Sequence, residues 1–206
     1  MKKINKILLI KLDHIGDLIL TVPALKAVRK RYPNAQIDVM VNPKSQAVIR
    51  ELSEIDHIYL YDSRDFDRDD NIDQQGLGCN INTIQKIRCE KYDICIGLRE
   101  DLSNIPIQLM CGAKKNVSFF TNTQFAGYLD ESVENDETKH AAKIHFDLLK
   151  KLDVEMPKML VPEIPISEED RLWAERFLTE HEQGAVSARI GLSIGGGWFL
   201  NWWPIE

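Results

Sequence analysis

The chain has 206 residues, of which 44% are hydrophobic, and a formal net charge of −6 at pH 7. This length and apolar content suffice for one domain, or one domain and part of a second, around a substantial core. The acidic balance argues against a nucleic-acid partner for the chain as a whole. The apolar run near the start is too short to span a bilayer and has no small-residue cleavage site, so we expect a cytoplasmic protein.

The cysteines favour neither a disulfide framework nor a zinc site. They have no C-x-x-C spacing and no histidine at metal-ligand distance. We therefore expect small apolar side chains there and no metal or cofactor. The four are Cys79, Cys89, Cys95 and Cys111.

The first predicted elements are a buried strand and the helix that follows it. Residues 7–12 form a short apolar run, which is typical of a parallel strand. Leu18, Val22 and Leu25 then recur at helical spacing. Polar and ionisable residues at 13–17 stand between them, at the carboxyl end of the strand, where open α/β sheets bind ligands.

Gly16 and Asp17 are the most informative residues of this junction. Gly16 lacks a Cβ, which favours a sharp turn or the close approach of another group. Asp17 can cap the helix by accepting a backbone N–H, and the helix dipole favours its negative charge. A carboxylate can also take a proton from a sugar hydroxyl. Spacing alone leaves the cap and the base as open alternatives.

Strands and helices alternate along the rest of the chain, which predicts a mostly parallel sheet with right-handed crossovers. Two polar segments, 62–78 and 121–137, are predicted to be loops. A helix after Ser167 is predicted to bury Leu172 and Phe177 on one face. The other predicted elements are strands at 36–41, 57–61, 92–98, 116–120 and 188–194, helices at 44–52, 103–110 and 138–152 and around Ile84, and an extended connector at 157–165.

Further polar residues stand after a predicted strand or within a predicted helix. Arg99 comes directly after the strand at 92–98, and its guanidinium suits phosphate or carboxylate groups. An ion pair with Glu100 or Asp101 is an equally good interpretation. His140 and His145 are five residues apart, which is not the spacing of a helical metal site. We expect His145 to be packed or solvated.

The end of the chain carries a glycine-rich loop after a strand. Backbone N–H groups in such loops can approach a phosphate. Flexible turns use the same residues, so the glycines alone are a weak signal.

The run from Ile10 to Arg29, followed by Tyr32 and Pro33, resembles the amino-terminal signature of glycosyltransferase family 9, the ADP-heptose:lipopolysaccharide heptosyltransferases. The resemblance implies a GT-B fold, in which a Rossmann-like acceptor-binding domain would occupy residues 1–184. Residues 185–206 would then begin a donor-binding domain. Asp17 would be the general base.

The resemblance also implies roles for other residues. Lys11, Gly16, Arg99 and His140 would form the acceptor side. The donor side would use Gly195, Gly196, Gly197, Trp198 and Asn201. Two positions depart from the family pattern: Ile194 replaces a proline, and Asn201 replaces a lysine that contacts the donor phosphate. Loss of that charge-assisted contact would cost about 1.5 to 3 kcal/mol.

The resulting prediction is an inverting sugar transfer from a nucleotide sugar, such as ADP-heptose, to a lipid-linked lipopolysaccharide core or related saccharide. A lipid-linked acceptor would bring the protein to the inner face of the cytoplasmic membrane. The chain matches only the first half of the family's length, so an inactive remnant or an acceptor-binding module is the alternative. A Rossmann-like nucleotide binder of other chemistry is less favoured, because the first strand lacks the G-x-G-x-x-G pattern.

Overall fold

A computed structural model of the chain describes residues 3–62, 74–99, 104–120, 126–136, 138–181 and 190–192. The chain divides into two compact units, Met1–Pro165 and Ile166–Glu206. The predicted domain boundary after residue 184 lies outside the described residues and stays a prediction.

The first unit is built on a six-stranded, fully parallel sheet. Its strands are β1 (Lys6–Lys11), β2 (Gln36–Val41), β3 (His57–Leu60), β4 (Ile94–Gly97), β5 (Lys115–Phe120) and β6 (Glu131–Glu134). Their order is β3-β2-β1-β4-β5-β6, and all five pairings are parallel. The predicted Rossmann-like α/β fold is therefore confirmed.

Helices connect these strands. They are α1 (Ile15–Arg31), α2 (Gln46–Ile49), α3 (Gln74–Glu90), α4 (Asn104–Met110) and α5 (Ala141–Leu149), while α6 (Glu168–His181) belongs to the second unit. Short 3-10 turns lie at Pro43–Ser45, Ala126–Tyr128 and Lys150–Leu152.

Apolar cores lie on both faces of the sheet. Successive strand residues point to opposite faces. Ile7 and Leu9 belong to one buried cluster, together with residues of α1 and α5. Leu8 and Ile10 belong to the other, with residues of α3. Burial on both faces explains why β1 is continuously apolar rather than alternating.

The structure differs from the sequence prediction at the two expected loops. β6 lies inside the segment predicted as a loop at 121–137 and pairs with β5. Its sequence, Glu-Ser-Val-Glu, is too short and too polar to stand out as a strand, because it forms a half-buried edge. In the other segment, α3 already begins at Gln74.

Helix α6 has the predicted cap but not the predicted buried face. The Ser167 hydroxyl accepts the backbone N–H of Asp170 at 3.0 Å, as an N-cap should. None of the residues of α6 is buried, so the expected burial of Leu172 and Phe177 is wrong. Apolar rings instead stack along the helix: Trp173 lies 5.3 Å from Phe177, centroid to centroid.

A buried carboxylate, Asp38 on β2, is hydrogen-bonded to side chains of neighbouring segments of the sheet. It accepts hydrogen bonds from the Tyr92 hydroxyl and, at 2.7 Å, from Gln36 Nε2. His57 Nδ1 lies 3.2 Å from its other oxygen. A carboxylate removed from water requires such donors, and sequence analysis did not identify this cluster.

The structure predicts that alanine destabilises the fold at Gly97 but not at Gly16. A Cβ on Gly97 would lie 2.5 Å from both Gln108 Oε1 and Ser118 Oγ. Gln108 is fixed by donating to the Cys95 and Val117 carbonyls, so Gly97→Ala should lower the free energy of unfolding by about 1 to 3 kcal/mol. Urea denaturation measures this loss.

Gly16→Ala is the matched control, because a Cβ there meets no atom within 4 Å. Alanine also favours a helix over glycine by about 1 kcal/mol. We expect unchanged or slightly higher stability, and equal losses in the two variants would contradict the described packing.

Candidate functional site at the carboxyl edge of the sheet

The strand order reverses between β1 and β4, and the loops after these neighbouring strands leave in different directions. Ligands of open α/β sheets bind at this switch point. Lys11 ends β1, Gly16 and Asp17 open α1, and Arg99 follows β4. β6 runs parallel to β5, so His140 enters α5 from the same edge. The topology therefore brings all the predicted site residues of the described chain to one edge.

Two hydrogen bonds tie the loops after β1 and β4 to each other. Lys11 Nζ donates to the Leu98 carbonyl at 2.9 Å, and Arg99 Nη1 donates to the Leu12 carbonyl at 2.8 Å. Lys11 also forms an ion pair with Asp13 Oδ2 at 3.0 Å, and its side chain is only 3% exposed. The Lys11 ammonium thus contacts the protein itself here, and its contact with an acceptor stays a prediction.

A third tie reaches the same loop from β2. Ser45 lies in the 3-10 turn after β2, and its hydroxyl donates to the Asp13 carbonyl at 2.8 Å. Asn42 caps that turn by accepting the Lys44 backbone N–H at 3.0 Å. The β1–α1 loop is therefore held from both neighbouring strands, which fixes where α1 begins.

Asp17 lies in the first turn of α1 but does not cap it. The helix begins at Ile15 and its N-cap is His14, which makes no side-chain capping bond, so the capping interpretation of Asp17 is wrong. Within the described residues, its half-buried carboxylate makes no hydrogen bond or ion pair. The positive end of the helix dipole favours negative charge at this position. An uncommitted carboxylate at this edge is able to accept a proton.

Gly16 is an exposed helical residue rather than a turn. Its φ is not among the positive values of the described glycines, so the expectation of a sharp turn is wrong. Open space surrounds the position of its missing Cβ. The other interpretation, the close approach of another group, stays open.

His140 has a local structural role that sequence analysis did not foresee. It is the N-cap of α5, where the Ala142 backbone N–H donates to His140 Nδ1 at 3.2 Å. The ring is exposed. Its predicted contact with an acceptor stays a prediction.

His145, which sequence analysis expected to be packed or solvated, is buried. Its ring is 1% exposed. Burial, and after it the positive charge of Lys11, lower the pKa of His145 to about 3, while the Asp13 carboxylate and the Leu98 backbone carbonyl act in the opposite direction. The imidazole is therefore neutral at neutral pH, beside the Lys11–Asp13 pair.

The five predicted donor residues lie outside the described residues, so their role stays a prediction. They are Gly195, Gly196, Gly197, Trp198 and Asn201.

The main cavity of the described chain adds no residue to the site at the carboxyl edge, and neither does any metal-binding group or membrane-spanning helix. A cavity of about 600 Å³ lies between the second half of α1 and residues 153–163, and none of the predicted site residues lines it. Among the described residues, no group of histidine, cysteine and acidic side chains is arranged to hold a metal ion. No helix in the described part combines the length and apolar character needed to cross a membrane.

Solved structures and curated proteins resemble this chain. A glycosyl transferase family 9 protein from Veillonella parvula superposes with a TM-score of 0.79 at 25% identity, covering 97% of this chain and 56% of that protein. The ADP-heptose lipopolysaccharide heptosyltransferase II of Escherichia coli shares the fold, with a TM-score of 0.63 at 18% identity over 84% of this chain and 50% of its own.

A curated relative gives a consistent result. Lipopolysaccharide heptosyltransferase 3 of Escherichia coli K12 is 23% identical over 133 residues, which are 63% of this chain and 35% of that protein. No protein-family model matches the chain. The chain thus spans about half the length of the solved structures it matches, and its match to the curated relative covers a smaller share.

Because His145 is buried in its neutral form, we expect the folded chain to lose stability in mild acid. The pKa of His145 is lower in the folded chain than the unfolded value of about 6.5, so the unfolded state binds the proton first as the pH falls. Between pH 6.5 and about 3 this histidine progressively destabilises the fold, by about 2 kcal/mol at pH 5. His145→Phe should remove this part of the loss, as measured by urea denaturation at pH 7 and pH 5.

His181→Gln is the control, because the His181 side chain is exposed and its replacement should leave the acid-dependent loss unchanged. The same pH dependence in wild type and His145→Phe would show that His145 is not buried in its neutral form.

Proposed function

We propose that this chain, which is related to glycosyltransferase family 9, supplies the acceptor side and the general base of a sugar transfer from a nucleotide sugar. The observation that carries the proposal is the Asp17 carboxylate, which lies in the first turn of α1 without a hydrogen bond or ion pair in the described chain. A carboxylate without an internal partner is available to hydrogen-bond a substrate hydroxyl and take its proton.

The proposed reaction is a single displacement with inversion. Asp17 takes the proton of an acceptor hydroxyl, and that oxygen bonds to the anomeric carbon of the donor sugar. The bond from this carbon to the nucleoside diphosphate breaks through an oxocarbenium-like state, as in related glycosyl chemistry. The open space beside Gly16 would let the acceptor approach the helix start closely.

The names of the relatives support the substrate classes. The two reported Escherichia coli proteins are named as lipopolysaccharide heptosyltransferases. A further heptosyltransferase of that organism was solved with ADP and with ADP-2-deoxy-2-fluoro heptose. We therefore propose ADP-heptose or a similar nucleotide sugar as donor and a lipopolysaccharide core saccharide as acceptor. A lipid-linked acceptor would require peripheral contact with the inner face of the cytoplasmic membrane.

The remaining predicted residues have subsidiary roles in this proposal. Arg99, Lys11 and His140 would orient anionic or hydroxyl groups of the acceptor. The glycine loop at 195–197, with Trp198 and Asn201, would hold the leaving diphosphate through backbone dipoles.

A second candidate is an acceptor-binding module without transfer activity. Asn201 favours it, because an amide replaces the lysine ammonium that the family pattern places against the donor phosphate. Calorimetry separates the two candidates: a module would bind core oligosaccharide but not ADP, whereas a transferase would bind both.

Asp17→Asn tests the proposed base. Asparagine keeps the size of the side chain but cannot accept the proton, so transfer should fall by about 10² to 10⁴. The assay is transfer from ADP-heptose to heptose-deficient core oligosaccharide, with the wild-type protein measured alongside.

The matched measurement is the Kd for the same oligosaccharide. We expect the Kd of Asp17→Asn to stay within about threefold of wild type, which corresponds to less than about 1 kcal/mol of binding free energy. Turnover close to wild type would exclude Asp17 as the base.

A further inference from the structure

Residues 153–163 form a strap that is fastened to the second half of α1 at both of its ends. At one end Arg31 Nη2 lies 3.9 Å from Asp153 Oδ2, and Arg31 Nε donates to the Asp153 carbonyl at 3.1 Å. At the other end Lys26 Nζ lies 3.0 Å from Glu163 Oε2. The cavity of about 600 Å³ lies between the helix and the strap, and this volume is typical of small-molecule sites.

The walls of the cavity are largely apolar, although the strap also contributes to the core. Val154 is buried and Leu160 packs against the main core cluster, which holds the strap in place. Met156, Met159 and Val161 line the cavity instead, and these side chains are exposed, Met159 to 74%. Methionine side chains adapt to the shape of an apolar ligand. The cavity therefore offers an adaptable apolar surface that the described chain leaves uncovered.

Two charged side chains of the lining are not used by the ion pairs of the strap. Lys30 on α1 and Glu155 on the strap are both exposed. Within the described chain, neither makes a hydrogen bond or an ion pair. An ammonium group and a carboxylate group, next to apolar side chains, match a ligand that carries an anion, a cation and an apolar chain.

The cavity is separate from the site at the carboxyl edge of the sheet. α1 begins at that edge and runs away from it, and the rise from Asp17 to Lys30 is about 20 Å at about 1.5 Å per residue. A ligand in the cavity would therefore not occupy the space beside the Asp17 carboxylate.

We propose that this cavity binds a single-chain amphiphile whose head group carries both a phosphate and an ammonium, as in a zwitterionic lysophospholipid. The phosphate accepts hydrogen bonds from the Lys30 ammonium, and the ligand ammonium donates to the Glu155 carboxylate. The apolar chain lies against Met156, Met159 and Val161. An amphiphile with only an anionic head would leave Glu155 unpaired beside a like charge, which opposes binding. The proposal does not rest on the proposed sugar transfer.

Calorimetry with two lipids, each below its critical micelle concentration, tests this proposal. The wild-type chain should bind lysophosphatidylethanolamine about tenfold more tightly than lysophosphatidic acid, which has the phosphate but no ammonium. Glu155→Gln should remove this preference, because the ligand ammonium loses its charged acceptor. Lys30→Met should weaken the binding of both lipids by about tenfold, because both carry the phosphate.

Lys143→Met is the matched control, because Lys143 is exposed on α5 and does not line the cavity. It should leave both Kd values unchanged. The proposal would be overturned by equal binding of the two lipids to the wild-type chain, by binding to micelles or vesicles but not to monomeric lipid, or by equal losses in Lys30→Met and Lys143→Met. None of these results affects transfer by Asp17→Asn, so the two proposals fail separately.

Discussion

The ion pair between Lys11 and Asp13, together with the hydrogen bond from Lys11 to Leu98, is the constraint on which the site depends. It lies where the strand order reverses. Beside the backbone bond from the Leu98 N–H to the Ile10 carbonyl at 2.9 Å, it holds the segments after β1 and β4 together. One buried ammonium satisfies a carboxylate from one loop and a carbonyl from the other. Because a buried charge is tolerated only with such partners, the pair also fixes where each loop lies.

The start of α1 follows from this constraint. Asp13 is held through its carboxylate by Lys11 and through its carbonyl by Ser45, so the helix begins two residues later, at Ile15. That starting point places Asp17 third in the helix, where an acidic side chain could accept the N-cap backbone N–H. The His14 N–H donates to Asp13 Oδ1 instead. The freedom of the Asp17 carboxylate is therefore a consequence of contacts made by other residues.

Sequence analysis predicted the elements whose signals are local. β1 is a continuous apolar run and α1 repeats its apolar residues with helical spacing, so both were found, and the alternation of strands and helices predicted the parallel sheet. β6 was missed because four residues at a sheet edge, three of them polar, carry no recognisable period. Leu172 and Phe177 of α6 showed the spacing of a buried face but are exposed, and the Phe177 ring stacks on Trp173. Periodicity cannot distinguish these two cases.

Contacts between distant segments account for most of what the sequence could not show. Lys11 and Leu98 are 87 residues apart, and only the strand order makes them neighbours. A lysine at a strand end is typical of a solvent-facing cation, and nothing near it in the sequence reveals the carbonyl that it reaches. His145 was correctly expected to be a packed residue as one of two alternatives, but its apolar helix does not reveal the ion pair beside it.

The site residues fall into two groups according to whether the fold already uses them. Lys11, Arg99 and His140 make internal contacts, whereas Gly16 and Asp17 leave open space and an uncommitted carboxylate. In the proposed function, proton transfer would thus depend on one helical turn, while an anion bound by Lys11 would compete with the contact to Asp13 that positions this turn. Ligand binding at Lys11 and the placement of Asp17 would then be physically coupled, because both depend on Asp13.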